Sequence, residues 1–113
     1  KRKLFMKNDK TYLEHILNAI SKIENYISDS DYEAFKNNNM MVDAVVRELE
    51  IIGEASNNLS EEFKRDNPAM PLRNAIDMRN FLAHEYFGVN TKIVWETCKD
   101  DLVKLKEFVE ERL

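Results

Sequence analysis

Apolar residues recur along this chain at spacings of three and four, with no useful length of strict alternation. Tyr12, Leu13, Ile16, Leu17, Ile20, Ile23 and Ile27 form one such stripe, the pattern of a helix that buries a single face. It predicts a first helix from Lys10 to Ile27, with Asp9 placed as its N-cap. The connector "SDSDYEAFKNNN" is polar, and its Tyr32 and Phe35 read as anchors that pin a short helical turn to the core. A second helix, Met40 to Leu59, carries Met41, Val42, Val45, Val46, Leu49, Ile52 and Ala55, an arc wide enough for burial on more than one side. "SEEFKRDNPAMP" holds both prolines and reads as a loop or broken turn. A third helix follows Pro71 and includes "LRNAIDMRNFLAH". Proline suits a first helical turn, where its missing N–H has no partner to lose, and Gly88 offers the exit. The last helix, Lys92 to Glu111, turns Val94, Trp95, Cys98, Leu102, Leu105, Phe108 and Val109 inward. The pattern predicts an all-α fold, an up-and-down bundle of four to five helices, in a single domain over residues 1–113.

Composition sharpens this in three ways. With Gly 2 and Pro 2 in 113 residues, few positions break helices, and apolar types at 43% suffice for one core. A domain of this size buries a modest share of its surface, so an apolar face for self-association would help it. No apolar run approaches the roughly 20 residues that span a bilayer, and "KRKLFMK" lacks the apolar stretch of a signal peptide. Cys98 is the single cysteine and fits a packing role in a reducing cytoplasm. The formal net charge of −4 excludes a protein that coats nucleic acid through bulk charge. Any RNA contact has to be local, made by a few Arg and Lys.

The densest chemistry lies in "MRNFLAHEYF", residues 78–87. At roughly 100° per residue, Arg79, Ala83 and Tyr86 share one arc, with Asn80 and His84 on a second arc beside it. Met78, Phe81 and Leu82 point elsewhere, toward the core. Arg is a permanent planar cation that can hold a phosphate through two parallel hydrogen bonds. His titrates near neutrality and can take a proton from a ribose 2′-hydroxyl or give one to the departing oxygen. Asn80 could orient the imidazole or bind a phosphate oxygen. This chemistry needs no metal or cofactor, and neither His15 nor His84 stands in a zinc-like Cys/His spacing. One helix offers one His, so a two-fold dimer is the natural way to supply a second. The same cluster also reads as a hydrogen-bonded helix end or a dimer contact, and both readings stand at this point.

Arg79, four residues, His84, one residue and Tyr86 resemble the R-x4-H-x-Y motif of the HEPN superfamily. "VRELEIIGEASNNLS" upstream and "MRNFLAHEYFGVNTKIVWETCKDDL" across and beyond the motif are similar to the HepT-like toxins of bacteria and archaea. The likeness covers most of the chain from Val42 onward. It implies an all-helical homodimer acting as a metal-independent endoribonuclease on tRNA or mRNA, with no DNA substrate and no membrane expected. Arg79 and His84 would be the catalytic pair at the dimer cleft, with Asn80 in support and a 2′,3′-cyclic phosphate as product. Such toxins are paired with an MntA-like nucleotidyltransferase antitoxin that transfers AMP to the motif tyrosine, here Tyr86. An AMP on Tyr86 would set phosphate against the Arg79 guanidinium and block the groove by bulk and charge.

Where many family members carry a tryptophan after the proline, this chain has Leu72 and Arg73. Arg73, and Arg47 on the preceding helix, are candidates for phosphate contact, although single charges of this kind are more often solvated surface groups. Glu54 of "IGEA" could neighbour the site and hold Arg79 or serve as a structural partner, with Gly53 allowing close helix approach, and the structural role is the better fit. The alternative class is a non-catalytic helical module that binds a nucleotidyltransferase or a nucleotide, which the acidic charge balance favours.

Overall fold

The computed structural model describes residues 7–71 and 90–113. Their order is α1 (Lys7–Ile27), α2 (Tyr32–Lys36), α3 (Asn39–Asn57), α4 (Glu61–Asp66), α5 (Thr91–Glu96), a π-helical turn (Thr97–Asp101) and α6 (Leu102–Arg112). The described residues contain helices and turns and no strand, and the chain is all-α. The long stripes on α1 and α3 face each other, and α6 lies against α1. Leu13, Ile16, Ile20, Val45, Ile52 and Val109 are almost fully enclosed between them. Burying a side chain of this kind contributes on the order of 2 kcal/mol, so this seam is a large part of the apolar drive.

Local chemistry sets where helices start. Asp31 Oδ1 accepts from the Ala34 amide at 2.8 Å, Asn38 Oδ1 from Met41 at 3.0 Å, and Ser60 Oγ from Phe63 at 3.0 Å. Asn90 Oδ1 accepts from both Lys92 at 3.0 Å and Ile93 at 3.2 Å. Each bond satisfies an amide that the first helical turn leaves without a partner.

Two expectations need correction. The first concerns "SEEFKRDNPAMP", which is not simply a loop: Glu61–Asp66 is helical, with Phe63 buried at 1% exposure. Ser60 caps it, and the helix closes before Pro68, whose ring disfavours helical geometry at Asn67 just before it. The second concerns Asp9, which does not cap α1, because the helix already includes Lys7 and Asp9 sits within its first turn. Its carboxylate is buried and accepts from Ser60 at both the backbone N, 2.8 Å away, and Oγ, 2.7 Å away. A buried carboxylate needs strong donors, and here they come from the start of α4. Asp9 therefore ties α1 to α4.

The last helix runs over the predicted span but contains the π-helical turn. Cys98 lies there, buried, and burial pushes its thiol up from 9.0 to about 12, with Lys99 pulling weakly the other way. It packs as a small hydrophobe. No helix among the described residues is long and apolar enough to cross a membrane.

Candidate functional site

Arg73, Arg79, Asn80, His84 and Tyr86, with the third predicted helix, lie outside the described residues. The structure does describe what brackets that segment. On the entering side, Met70 is buried, and Asn67 closes α4 by donating from Nδ2 to the Phe63 carbonyl at 2.9 Å. Asn67 Oδ1 accepts from Arg112 Nε at 3.0 Å. The same guanidinium donates from Nη1 to the Phe108 carbonyl at 3.0 Å and stacks 3.5 Å from the Phe108 ring centre. The end of α6 is thereby held against the approach to Pro71.

On the leaving side, Asn90 caps α5, and Thr91 Oγ1 shares a 3.0 Å hydrogen bond with Tyr32 Oη. Both ends of the motif-bearing segment are thus anchored on the bundle. Side chains, rather than a long flexible run, make both anchors.

Helix α3 carries the other sequence candidates. Arg47 is exposed and takes part in no ion pair among the described residues, so its guanidinium is free to meet an anion. Gly53 is buried, consistent with close helix approach, while Glu54 is exposed. Glu48 is a residue that the motif reading passed over. It is 7% exposed, on the inward arc between Val45 and Ile52. Helical spacing from those two positions was the available signal, since Glu48 follows Val45 by three and precedes Ile52 by four.

A second polar feature also escaped the sequence reading. Phe35 is enclosed, and its ring centre lies 5.2 Å from that of Trp95; Tyr32 lies 6.2 Å from Trp95. Lysines surround this aromatic group: Lys92 Nζ lies 4.9 Å from the Tyr32 ring centre, Lys36 Nζ 5.9 Å from the same ring, and Lys99 Nζ 5.1 Å from Trp95. The three lysines come from three different helical turns, so no local spacing announced them. Among the described residues, no three His, Cys, Asp or Glu side chains gather as a metal ion requires.

The described helices form the frame of a small all-α domain, and the Arg79, His84 and Tyr86 spacing falls in the sequence between their two anchored ends, Pro71 and Asn90. The family model described as "Ribonuclease HepT-like" matches residues 16–112, and the chain belongs to the HepT-like ribonuclease family. It is 43% identical over 100 residues to a protein of Thermococcus cleftensis named "Probable ribonuclease HepT", covering 88% of this chain and 91% of that one. A Caldanaerobacter subterraneus subsp. tengcongensis protein named a "putative RNase" is 40% identical over 108 residues, 96% of each chain. The chain is also 43% identical over 103 residues to a Methanocaldococcus jannaschii protein named "Gamma-glutamylcyclotransferase and putative RNase". That match takes in 91% of this chain and spans about half of the longer relative, 46%. No solved structure matches the chain significantly.

Proposed function

We propose that this protein is a metal-independent endoribonuclease toxin that cuts tRNA or mRNA in the cytoplasm, acting as one domain at a composite site between two copies of the chain. The observation that carries this reading is the R-x4-H-x-Y spacing of Arg79, His84 and Tyr86 inside the matched span of residues 16–112. The His84 imidazole of one copy takes the 2′-hydroxyl proton of the ribose. The freed oxygen attacks the neighbouring phosphorus, and the 5′-oxygen leaves with a proton from the second imidazole. The products are a 2′,3′-cyclic phosphate and a 5′-hydroxyl. Arg79 neutralises the charge that builds on the phosphoryl oxygens. Asn80 supports the pair, and Arg73 and Arg47 contact neighbouring phosphates. An MntA-like nucleotidyltransferase antitoxin silences the site by placing AMP on the Tyr86 phenol.

One preparation tests both halves. Wild-type protein in excess chelator should cleave tRNA or mRNA, and His84→Ala should lose roughly 10²–10⁴-fold in rate, the usual worth of a general acid or base. Equal cleavage by both, or none by either, removes the nuclease reading. Co-produced with a cognate transferase, the wild type should gain AMP mass on the peptide holding Tyr86. Undiminished adduct on Tyr86→Phe would remove the silencing step.

A further inference from the structure

The motif offers a site for one scissile phosphate, yet a chain of net charge −4 must still hold a polyanion long enough to cut it. The aromatic face where α2 meets α5 bears on this. Lys36, Lys92 and Lys99 are exposed, while Tyr32 and Trp95 beneath them are half-buried. Glu33, Glu96 and Asp100 stand within four residues of these lysines on the same helical segments, and all are exposed. None of the three ammoniums is within ion-pair reach of a carboxylate among the described residues. Each lies instead over an aromatic ring, at 4.9 Å, 5.1 Å and 5.9 Å from a ring centre.

That choice of partner has a consequence. A ring face attracts an ammonium and favours its position over the ring, but it does not cancel the charge. Two of the cations share the Tyr32 ring, and neither makes an ion pair among the described residues. The Tyr32–Thr91 hydrogen bond further fixes the shared ring in place.

We propose that Lys36, Lys92 and Lys99, held over Tyr32 and Trp95, form a second RNA contact surface that grips the sugar-phosphate backbone of a single strand beyond the cleavage site. Lys92 follows the motif-bearing segment closely in sequence and stands just past the Asn90 cap. The ring faces are occupied by the lysines, so the contact reads charge rather than base identity. The inference rests on the ribonuclease reading for its ligand class, while its test does not depend on cleavage.

The test uses the full chain carrying His84→Ala, so that bound RNA survives, and measures anisotropy of a fluorescein-labelled oligouridine across a salt series. Neutralising the face with K36Q, K92Q and K99Q together should weaken binding roughly tenfold. The slope of log affinity against log salt should fall by about 2, since each phosphate contact on a single strand contributes about 0.7. A variant with K36R, K92R and K99R keeps the charge and should bind like its parent. Circular dichroism melting checks that both remain folded. Unchanged affinity and slope in the neutralised variant overturn the proposal. So does an unchanged RNA affinity combined with loss of a co-purifying nucleotidyltransferase, which would make this face a protein dock. If the wild type cleaves nothing while the neutralised variant still loses RNA affinity, the nuclease reading fails and this surface stands.

Discussion

The α1–α3 seam and the α2–α5 face solve the same problem, holding helices together, with opposite chemistry. The seam is branched aliphatic side chains at or near zero exposure, as with Ile16, Ile20, Val45 and Ile52. It is non-directional, and its strength grows with the area removed from water. The face uses few, directional contacts: Phe35 and Tyr32 tilted against Trp95, one hydroxyl pair, and three lysines laid over rings. The polar groups buried on its two helices, Asp9, Glu48 and Ser56, face inward and present little surface to a ligand. The face holds its helices while keeping three positive charges toward solvent. Stability and ligand-facing chemistry are therefore placed on different helix pairs, and each can be changed with limited effect on the other.

The largest expected effect breaks the seam. Ile52→Ala removes enclosed methylenes from the middle of α3 and should cost roughly 2–5 kcal/mol, the range for such truncations in a packed core. Urea unfolding checks it through a lower midpoint at unchanged slope. A cost below about 1 kcal/mol would mean that this seam is not the main source of stability. The difference between the two regions would then vanish.

The turn joining the regions sharpens the comparison, because Cys98 points inward while its neighbour Lys99 lies over Trp95. Burial pushes the Cys98 thiol up from 9.0 to about 12. In the unfolded chain the thiol ionises near 9.0; in the folded one it stays protonated. Stability from this group is therefore complete below pH 9.0 and is lost as pH rises toward about 12. At pH 8 the native thiol should resist iodoacetamide and react once urea unfolds the chain. Rapid labelling of the folded protein would show that the inner side of this turn is open to water.

These contrasts also explain what could be read from sequence. The stripes of α1 and α3 were legible because area burial leaves a periodic trace: the expected spans Lys10–Ile27 and Met40–Leu59 fall close to Lys7–Ile27 and Asn39–Asn57. The role of Asp9 was not legible, since its donor, Ser60, lies far along the chain and only folding brings them together. The α4 turn was hidden by two prolines that follow it rather than interrupt it. The π-helical turn leaves the spacing of Val94, Cys98, Leu102 and Leu105 looking like ordinary helix, so no pattern marked it. As for the site, the motif spacing and Arg47 are readings of the sequence alone, and Arg79, His84 and Tyr86 lie outside the described residues. The lysine face is not legible there, because the apolar pattern places Trp95 inward while the fold leaves it half-buried, and Lys36 meets the Lys92 side only across the fold.

The smallest effect tests how the face itself is held. Tyr32→Phe keeps the ring over which Lys36 and Lys92 lie and deletes only the hydroxyl paired with Thr91 at 3.0 Å. A partly buried neutral hydrogen bond contributes about 1 kcal/mol net, and Thr91 can turn to water when its partner is gone. The expected loss is therefore about 1 kcal/mol or less by urea unfolding, well below that of Ile52→Ala. If the ring and not the hydroxyl positions the cations, Tyr32→Phe should also keep the parent's salt-dependent affinity for oligouridine, whereas Tyr32→Leu should weaken it. A Tyr32→Phe loss as large as that of Ile52→Ala would show that the directional contact, not the buried area, governs this part of the fold.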